Sequence, residues 1–242
     1  MLIGISNIAW PALEDSAILP ELRGWGAECL EVAPPRTWGP EDVLRSDVIR
    51  TIRGTVESFG LRVVALQSLL FQRPELTLFG TAEARAKTAN RLRMLCDAAS
   101  EIGATVLVFG SPKNRQRGLL SLEAADEIAV PFFGALGDHA HSRGVSLCIE
   151  PLPTSLGCDY IHTAEDGARL ARKVGSQGFA LHLDASALHA NRETPEHAVA
   201  GSIDVLRHFH ISETGYVEPG ASGVDHSGMA AALRAHGYAG AV

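Results

Sequence analysis

The sequence predicts an α/β protein with the TIM (β/α)8 barrel architecture, on three observations. Short apolar runs alternate with longer amphipathic segments at a spacing of about 30 residues, the length of a strand with its crossover helix. Repetition of that unit indicates a parallel sheet. Seven units and the start of an eighth fit a chain of 242 residues, since closed barrels have roughly 250. An open doubly wound sheet is the alternative, although the first strand is not followed by the glycine fingerprint of a dinucleotide site.

The predicted strands are the apolar runs, and the predicted helices are the segments of 3.6-residue periodicity between them. The strands are Leu2–Ser6, Ala27–Val32, Arg62–Gln67, Thr105–Gly110, Val145–Glu150, Phe179–Asp184 and Val205–Ile211. The clearest helices are Asp47–Phe59, Ala82–Ile102, Leu122–Arg143, Ala164–Val174 and His226–His236. Glycines just before the next strand are typical left-handed helix ends, and they occur at Gly26, Gly60, Gly103, Gly144 and Gly237.

The eighth strand is predicted to be incomplete in this chain. A new strand pattern begins after Gly237, and the sequence reaches Val242 almost at once. A barrel closed by so short a strand would be poorly paired. We therefore expect either that the chain is truncated here or that another segment or subunit closes the gap. Residues 1–242 are otherwise predicted to form a single barrel domain.

Composition and charge narrow the class of partner. The net charge is −7, with a pI near 5.8, and an acidic surface disfavours an extended nucleic-acid interface. No window is apolar enough for a membrane span, and no basic leader precedes the first strand. No CxxC pair occurs among Cys29, Cys96, Cys148 and Cys158, which favours a reducing compartment. We expect a soluble cytoplasmic protein with a small-molecule partner, and homo-oligomerisation stays open.

Three polar residues end consecutive apolar strands, at the positions where the active site of a barrel gathers. These are Glu150, Asp184 and His210. A carboxylate at the end of a buried strand needs a cation or hydrogen-bonding partners. Two carboxylates and an imidazole form a mixed oxygen and nitrogen ligand set for a divalent metal such as Mn, Co, Mg or Zn. The alternative for each residue is a capping or salt-bridging role.

Periodicity does not decide which histidine binds the metal. His208 and His210 lie on the same face of the seventh strand, because side chains alternate along a strand. His210 is preferred since it lies nearer the strand end, and His208 is expected to pack below it. His182 shares a face with Asp184, and the commoner role for such a histidine is a satisfied core residue.

Several short motifs resemble one enzyme superfamily over nearly the whole chain. They are Gly4-Ile5-Ser6, Phe109-Gly110-Ser111-Pro112, Ile149-Glu150-Pro151, Leu181-His182-Leu183-Asp184 and His208-Phe209-His210-Ile211-Ser212-Glu213. They resemble the sugar phosphate isomerase/epimerase branch of the xylose isomerase-like TIM barrels, which also include ketose 3-epimerases and endonuclease IV-type nucleases. The resemblance implies a metal-dependent isomerase or epimerase that moves a proton α to a carbonyl of a small sugar, sugar phosphate or sugar acid through an enediolate.

The resemblance also implies roles for individual residues. Ketose epimerases hold their metal with Glu, Asp, His and a second Glu on strand eight, and the first three correspond to Glu150, Asp184 and His210. The second Glu would follow Val242. Because the two glutamates are also the acid/base pair of that family, Glu150 is the candidate catalytic residue as well as a metal ligand.

A further set of side chains is expected to contact the substrate. His189 matches the His-x-Asn that follows the metal Asp in ketose epimerases, and Glu213 follows the metal His, where it would bind a hydroxyl or orient His210. The others are basic or aromatic residues that follow strands one, two and four on the catalytic face, namely Trp10, Arg36, Trp38, Lys113 and Arg115. For each of these the alternative is an ordinary loop or rim residue.

Three other functions remain open from the sequence. An endonuclease IV-like phosphodiesterase is disfavoured, because the nuclease histidines correspond here to Gln67, Ser111 and Ala187. A non-catalytic sugar-binding barrel with an incomplete metal site is the main alternative to an enzyme. A dehydratase or aldolase would use the same enediolate chemistry, and release of water or a cleaved fragment would distinguish it.

Overall fold

The structure is a computed structural model, and it describes residues 1–38 and 44–242. The strands are β1 (Gly4–Ser6), β2 (Cys29–Val32), β3 (Arg62–Leu66), β4 (Val106–Phe109), β5 (Ser146–Ile149), β6 (Phe179–Asp184) and β7 (Leu206–His210). The α-helices are α1 (Asp15–Ile18), α2 (Pro34–Thr37), α3 (Ser46–Ser58), α4 (Ala82–Ile102), α5 (Leu122–Ser142), α6 (Ala164–Val174), α7 (Ala185–Ala190), α8 (Pro195–Ala200) and α9 (His226–Ala235). Short 3-10 turns span Asn7–Ala9, Ala12–Glu14, Pro112–Arg115, Thr154–Leu156 and Thr214–Tyr216.

The strands form one parallel sheet in the order β1-β2-β3-β4-β5-β6-β7. Consecutive strands are therefore neighbours, which is the connectivity of a TIM barrel and not of a doubly wound sheet. All seven strands lie within their predicted ranges, and the five predicted helices agree with the structure to within a residue at each end. The five predicted helix-ending glycines all have positive φ angles, between 71° and 95°. The barrel prediction is confirmed.

The beginning of an eighth strand lies beside β1. Leu2 and Ala241 form a parallel bridge, and the Gly4 amide donates to the Val242 carbonyl at 2.8 Å. On the other side, the Tyr238 hydroxyl donates to the Arg207 carbonyl of β7 at 3.3 Å. The last residues of the chain thus lie between the first and seventh strands, as a barrel requires.

Side chains inside the barrel are small in its lower part and polar at its upper end. A compact apolar cluster consists of interior-facing residues of β3 to β6, namely Ala65, Val106, Val108, Cys148 and Ala180. The larger core lies between the sheet and the helices. The polar residues of the interior come next along the same strands, so the packed lower part supports them from below.

Among the described residues, no helix is long and apolar enough to cross a membrane. The four cysteines are buried free thiols. Burial raises the pKa of Cys96 to about 12 and that of Cys29 to about 11. Cys29 and Cys96 are therefore neutral packing groups at physiological pH.

A buried ionic cluster connects α5, α6 and the segment that follows β5. Asp126, with a side chain 3% exposed, accepts hydrogen bonds from Tyr160 Oη at 2.8 Å, Arg169 Nη1 at 2.5 Å and Lys173 Nζ at 3.0 Å. Burial alone would raise the pKa of Asp126, but these three donors lower it below its usual value. The cluster thereby fixes the helix layer behind the strand that leads to Glu150.

Replacing Asp126 with Asn is expected to destabilise the fold by about 2 kcal/mol, because it removes a buried anion with charged partners. A carboxyl with a lowered folded-state pKa stabilises the fold above its unfolded pKa of about 4, and that contribution is lost as pH falls through the folded value. Urea unfolding at pH 7 and pH 3 measures both effects, and the difference between wild type and variant should shrink at pH 3. The control is Asp204→Asn, whose exposed pairing with Arg172 should contribute below about 1 kcal/mol. Equal losses in both variants would contradict the prediction.

Candidate metal centre

The three predicted metal ligands converge at the carboxyl ends of β5, β6 and β7. Glu150 follows Ile149 directly, while Asp184 and His210 are the last residues of their strands. Glu150 Oε1, Asp184 Oδ2 and His210 Nδ1 face the same volume above the barrel interior. Four residues here each offer one carboxylate oxygen or imidazole nitrogen, and these four atoms all lie within 4.8 Å of one another. The residues are Glu150, His182, Asp184 and His210.

A shift in strand register aligns β7 with β6. The shift occurs just before His182, so that Arg207 has no partner in β6. His182 then lies opposite His208, and Asp184 lies opposite His210. Bulges of this kind are common beside active sites, where they redirect side chains. Without it, the two histidines of β7 would not face the polar residues of β6.

Glu31 is the main site residue that the sequence prediction missed. This carboxylate lies in the apolar strand β2 and is 5% exposed. Its Oε2 atom lies 2.9 Å from His208 Nε2 and 3.0 Å from His210 Nε2. His210 Nε2 is also 3.0 Å from Oε1, although the hydrogen-bond geometry favours Oε2. Glu31 thus connects the two histidines across the barrel.

Glu31 determines which nitrogen of His210 faces the site. Burial would raise the pKa of Glu31, but His210 and His208 hold it well below its usual range, so this carboxylate is ionised. An ionised carboxylate only accepts hydrogen bonds, so each histidine donates through Nε2–H. Nδ1 of His210 is then the atom that faces Asp184, at 3.9 Å from Oδ2. A carboxylate that orients a ligating histidine in this way is typical of metal sites.

Glu31 also controls the protonation of His210. Burial alone would lower the pKa of His210, but Glu31, Glu150 and Asp184 together raise it to about 9. Metal binding at Nδ1 must therefore release a proton at neutral pH.

Asp184 is held by the start of α7 and by the segment after β7. Its Oδ1 accepts from Ser186 Oγ at 2.7 Å and from the Ala187 amide at 2.8 Å. Its Oδ2 accepts from Ser212 Oγ at 2.7 Å. These bonds orient the carboxylate before any ligand is present. Ser186 and Ser212 are positioning residues that the sequence prediction did not include.

Glu150 is held in a cradle formed by β4 and the turn that follows it. Arg115 Nη2 donates to the Glu150 carbonyl at 2.6 Å, and the carboxylate lies over Gly110. Burial and the charge of Asp184 raise the pKa of Glu150 to about 7, against the opposing charges of His210 and Arg115. A carboxyl with such a pKa can accept and return a proton near neutral pH.

Replacing Gly110 with Ala is expected to displace the Glu150 carboxylate. A Cβ atom at this position would overlap Glu150 Oε2, so the carboxylate has to move away from the place where it faces Asp184 and His210. Calorimetry with Zn²⁺ should show weaker binding than in wild type. The matched control is Gly54→Ala in α3, where an added Cβ meets nothing within 4 Å. Wild-type zinc affinity in Gly110→Ala would contradict the proposed cradle.

His182 is buried but is not the satisfied core residue that we expected. It is 0% exposed, and neither ring nitrogen has a partner with good hydrogen-bond geometry, although the ring lies near the His208 backbone. Its ring centroid lies 4.1 Å from that of His210. Burial and the charges of His210 and His208 keep the pKa of His182 well below its usual range, against a weaker opposing effect of the His208 backbone. The imidazole is therefore neutral and has a free lone pair.

The donor set fits a divalent ion. Carboxylate oxygens and neutral imidazole nitrogens are suitable ligands for Zn, Mn and Co. Mg²⁺ would bind the carboxylate oxygens. The unpartnered nitrogens of a fully buried histidine and the space left by Gly110 beside Glu150 are both consistent with a site built around a ligand.

Arg36 and Trp10 belong to a separate cluster with Asp15. Arg36 Nη2 lies 2.6 Å from Asp15 Oδ1 and donates to the Trp10 carbonyl at 3.3 Å. The Trp10 ring stacks under the guanidinium, and its Nε1 donates to Asp15 at 2.7 Å. Asp15 thus neutralises Arg36, and Trp10 is buried. Trp38 is half-buried against the outer core.

The remaining predicted substrate residues differ in their exposure. Arg115 is fully buried and supports the Glu150 backbone. Lys113, in the 3-10 turn after β4, and His189, near the end of α7, are exposed. Glu213 accepts hydrogen bonds from His226 Nε2 at 2.7 Å and from Gly220 and Ser222. Its carboxylate therefore holds the segment after β7, and His210 donates its hydrogen bond to Glu31 instead.

The fold is shared with several solved sugar epimerases. D-psicose 3-epimerase with D-fructose aligns with a TM-score of 0.82 and 18% identity, over 100% of this chain and 83% of that one. The 3-keto-D-glucoside 4-epimerase YcjR from E. coli has a TM-score of 0.82 and 18% identity, over 100% and 90%. L-ribulose 3-epimerase has a TM-score of 0.81 and 19% identity, over 100% and 80%. At these identities the likeness is one of fold.

The sequence comparisons point to the same group of proteins. No curated protein gives a significant sequence match. The family model of the xylose isomerase-like TIM barrels, however, matches residues 19–242, which include every ligand of the candidate metal centre. The chain belongs to the xylose isomerase-like TIM barrel family.

Proposed function

We propose that this chain is a metal-dependent isomerase or epimerase that moves a proton on the carbon next to the carbonyl of a small sugar, sugar phosphate or sugar acid. The observation that supports this most directly is the convergence of Glu150, Asp184 and His210, in which Glu150 has a pKa of about 7. The structural neighbours that act on sugars are consistent with this reaction class.

Glu150, Asp184 and His210 would hold the metal, for which Mn, Co, Mg and Zn are the candidates. A divalent ion bound there would stabilise the negative charge that develops on the substrate's carbonyl oxygen. Glu150 takes the proton from the neighbouring carbon and returns it. Arg115 holds the Glu150 backbone, Gly110 leaves space for its carboxylate, and Glu31 keeps Nδ1 of His210 directed into the site.

Substrate contacts are proposed at the open side of this centre. Lys113 and His189 are the predicted substrate residues with exposed side chains. An ammonium group at Lys113 would suit a phosphate or carboxylate of the substrate. Glu213 contributes by ordering the segment after β7, which ends next to His226 at the start of α9.

The test is metal-dependent exchange of the substrate's α-proton with deuterated water. The full chain is incubated in D₂O with a panel of ketoses, sugar phosphates and sugar acids, with either Mn²⁺ or a chelator present. We expect deuterium incorporation with at least one substrate, only with the metal, and without release of water or a cleaved fragment. Exchange needs one base, whereas inversion needs a second acid–base group on the opposite face, so exchange reports on Glu150 alone.

Other outcomes of this test exclude the proposal. Metal uptake without exchange across the panel would indicate a sugar-binding barrel that is not an enzyme. Loss of water or fragmentation of the substrate would indicate a dehydratase or an aldolase. Exchange that persists with the chelator would refute the metal dependence.

A further inference from the structure

We propose that Gln67 is a specificity-determining residue that binds a hydroxyl group of the substrate, on the side of the barrel mouth away from the metal ligands. This inference rests on the proposed function, because it requires a sugar bound over the metal centre. Gln67 directly follows β3, and β3 is bordered by β2 on one side and by β4 on the other. Gln67 therefore lies well within the described part of the barrel.

Gln67 belongs to the same layer of interior side chains as two of the predicted metal ligands. In a TIM barrel, the inward-facing residues of alternate strands lie in common layers. Ala65 of β3 and Cys148 of β5 both lie in the inner cluster. Because side chains alternate along a strand, the next inward-facing residues are Gln67 and Glu150. His210 has the corresponding place at the end of β7, so Gln67 lies at the level of both ligands.

A hydrogen bond from Gln67 Nε2 to Ser6 Oγ fixes the direction of the amide group. Ser6 is the last residue of β1, and its partner in β2 is Glu31. The bond therefore crosses β2 and joins the first strand to the third. Ser6 and Gln67 line the mouth on the side of β1 to β3, whereas the predicted metal ligands end β5, β6 and β7. A substrate bound to the metal would have its far end beside this pair.

The chain turns sharply just after Gln67. Ser68 has a φ angle of 56°, a left-handed conformation that is uncommon for a residue with a Cβ atom. Ser111 has a φ angle of 41° and follows Gly110, which leaves space for the Glu150 carboxylate. Residues other than glycine in such conformations concentrate at active sites and ligand clamps. The ends of β3 and β4 thus share a strained turn directly after an inward-facing residue.

The carboxamide of Gln67 is suited to a hydroxyl group. The side chain is half-buried, and its bond to Ser6 uses one of its two N–H donors. Within the described part of the chain, its Oε1 atom takes part in no hydrogen bond. A free acceptor beside a free donor matches a sugar hydroxyl, which both donates and accepts. The pair carries no charge, and Asp15 neutralises Arg36 after β2, so a phosphate or carboxylate is a poorer match here.

The test measures sugar binding by calorimetry on the full chain with saturating Mn²⁺. The probes are D-fructose, D-tagatose and their 6-phosphates, each with the analogues that lack the hydroxyl at C4 or at C5. We expect wild type to bind at least one probe about 3–10-fold more tightly than one of its deoxy analogues, the usual effect of one hydrogen bond between neutral groups. In Gln67→Leu this preference should disappear, while the affinities for that deoxy analogue and for Zn²⁺ stay as in wild type. Ser6→Ala should reduce the preference, because the amide loses its fixed direction.

The matched control is Gln177→Leu, an exposed glutamine before β6 at the opposite end of the barrel, and it should keep the wild-type preference. No preference in wild type, or an unchanged preference in Gln67→Leu, would overturn the role of Gln67 and leave the metal centre in place. The wild-type preference decides the question even if Gln67→Leu does not fold, which circular dichroism would reveal. Failure of wild type to bind any of the probes would instead count against the proposed sugar site as a whole.

Discussion

Replacing Glu150 with Gln is expected to lower the rate of substrate α-proton exchange by roughly 10²–10⁴-fold, the usual contribution of a positioned general base. Gln has the same shape but accepts no proton at its amide near neutral pH. In the metal-free protein, burial and the charge of Asp184 raise the pKa of Glu150 to about 7, and a bound divalent ion would favour the ionised form that acts as the base. The fold should be retained, since removing a partly protonated buried acid costs little.

The measurement is the exchange rate in D₂O at saturating Mn²⁺, because Gln binds the ion less tightly and the two effects must be separated. A fall in the exchange rate at full metal occupancy reports on proton transfer. A higher Mn²⁺ concentration for half-saturation reports on metal coordination. Glu127→Gln serves as the control, since this exposed carboxylate of α5 lies in the outer layer. Wild-type exchange in Glu150→Gln at saturating metal would exclude Glu150 as the base.

The sequence was sufficient to predict that three polar residues converge at strand ends, because local pattern and global topology agree there. A polar residue at the carboxyl end of an apolar barrel strand lies at the barrel mouth, where the active site forms. Glu150, Asp184 and His210 were found in this way. The 3.9 Å separation of Asp184 from His210 depends on the register of β6 and β7, which includes a shift that no local pattern predicts.

Glu31 was missed because its partners are far away in sequence. It lies 177 residues from His208 and 179 from His210, and a single acidic residue in a short strand is equally typical of an outward-facing side chain. The available signal was its central position in an otherwise apolar strand, Cys29–Val32, all of whose residues are buried. A buried carboxylate requires a cationic or donating partner. The histidines predicted at the end of the seventh strand, His208 and His210, are such partners.

For the basic residues, the sequence predicts the position but not the pairing partner. Arg36 and Arg115 follow strands on the catalytic face, as the sequence indicates. Their partners decide what they do: Asp15 pairs with Arg36, and the Glu150 carbonyl receives a bond from Arg115. Position along the chain predicts the face of the barrel, but side-chain pairing across loops depends on packing.

Replacing Glu31 with Gln is expected to weaken Zn²⁺ binding by about 10–100-fold, the effect typical of a residue that orients a ligating histidine. Gln has one acceptor oxygen and carries no charge. It therefore cannot hold both His208 and His210 with Nε2–H directed toward it as the carboxylate does. Nδ1 of His210 would lose its fixed orientation toward Asp184. Calorimetry with Zn²⁺ measures the loss, and Glu28→Gln, a nearby carboxylate that bonds the Ile3 amide, should bind as wild type does.

The same variant makes a prediction about pH in protein from which metal has been removed with a chelator. Glu31 is a main reason that the pKa of His210 rises from 6.5 to about 9, and such a shift corresponds to about 3 kcal/mol. A histidine with a raised folded-state pKa stabilises the fold fully below about pH 6.5, and this contribution is lost as pH rises through 9. Urea unfolding should therefore show the largest difference between wild type and Glu31→Gln near pH 6 and a smaller one near pH 10. A difference that stays constant across this range would mean that Glu31 acts through packing and not through the charge of His210.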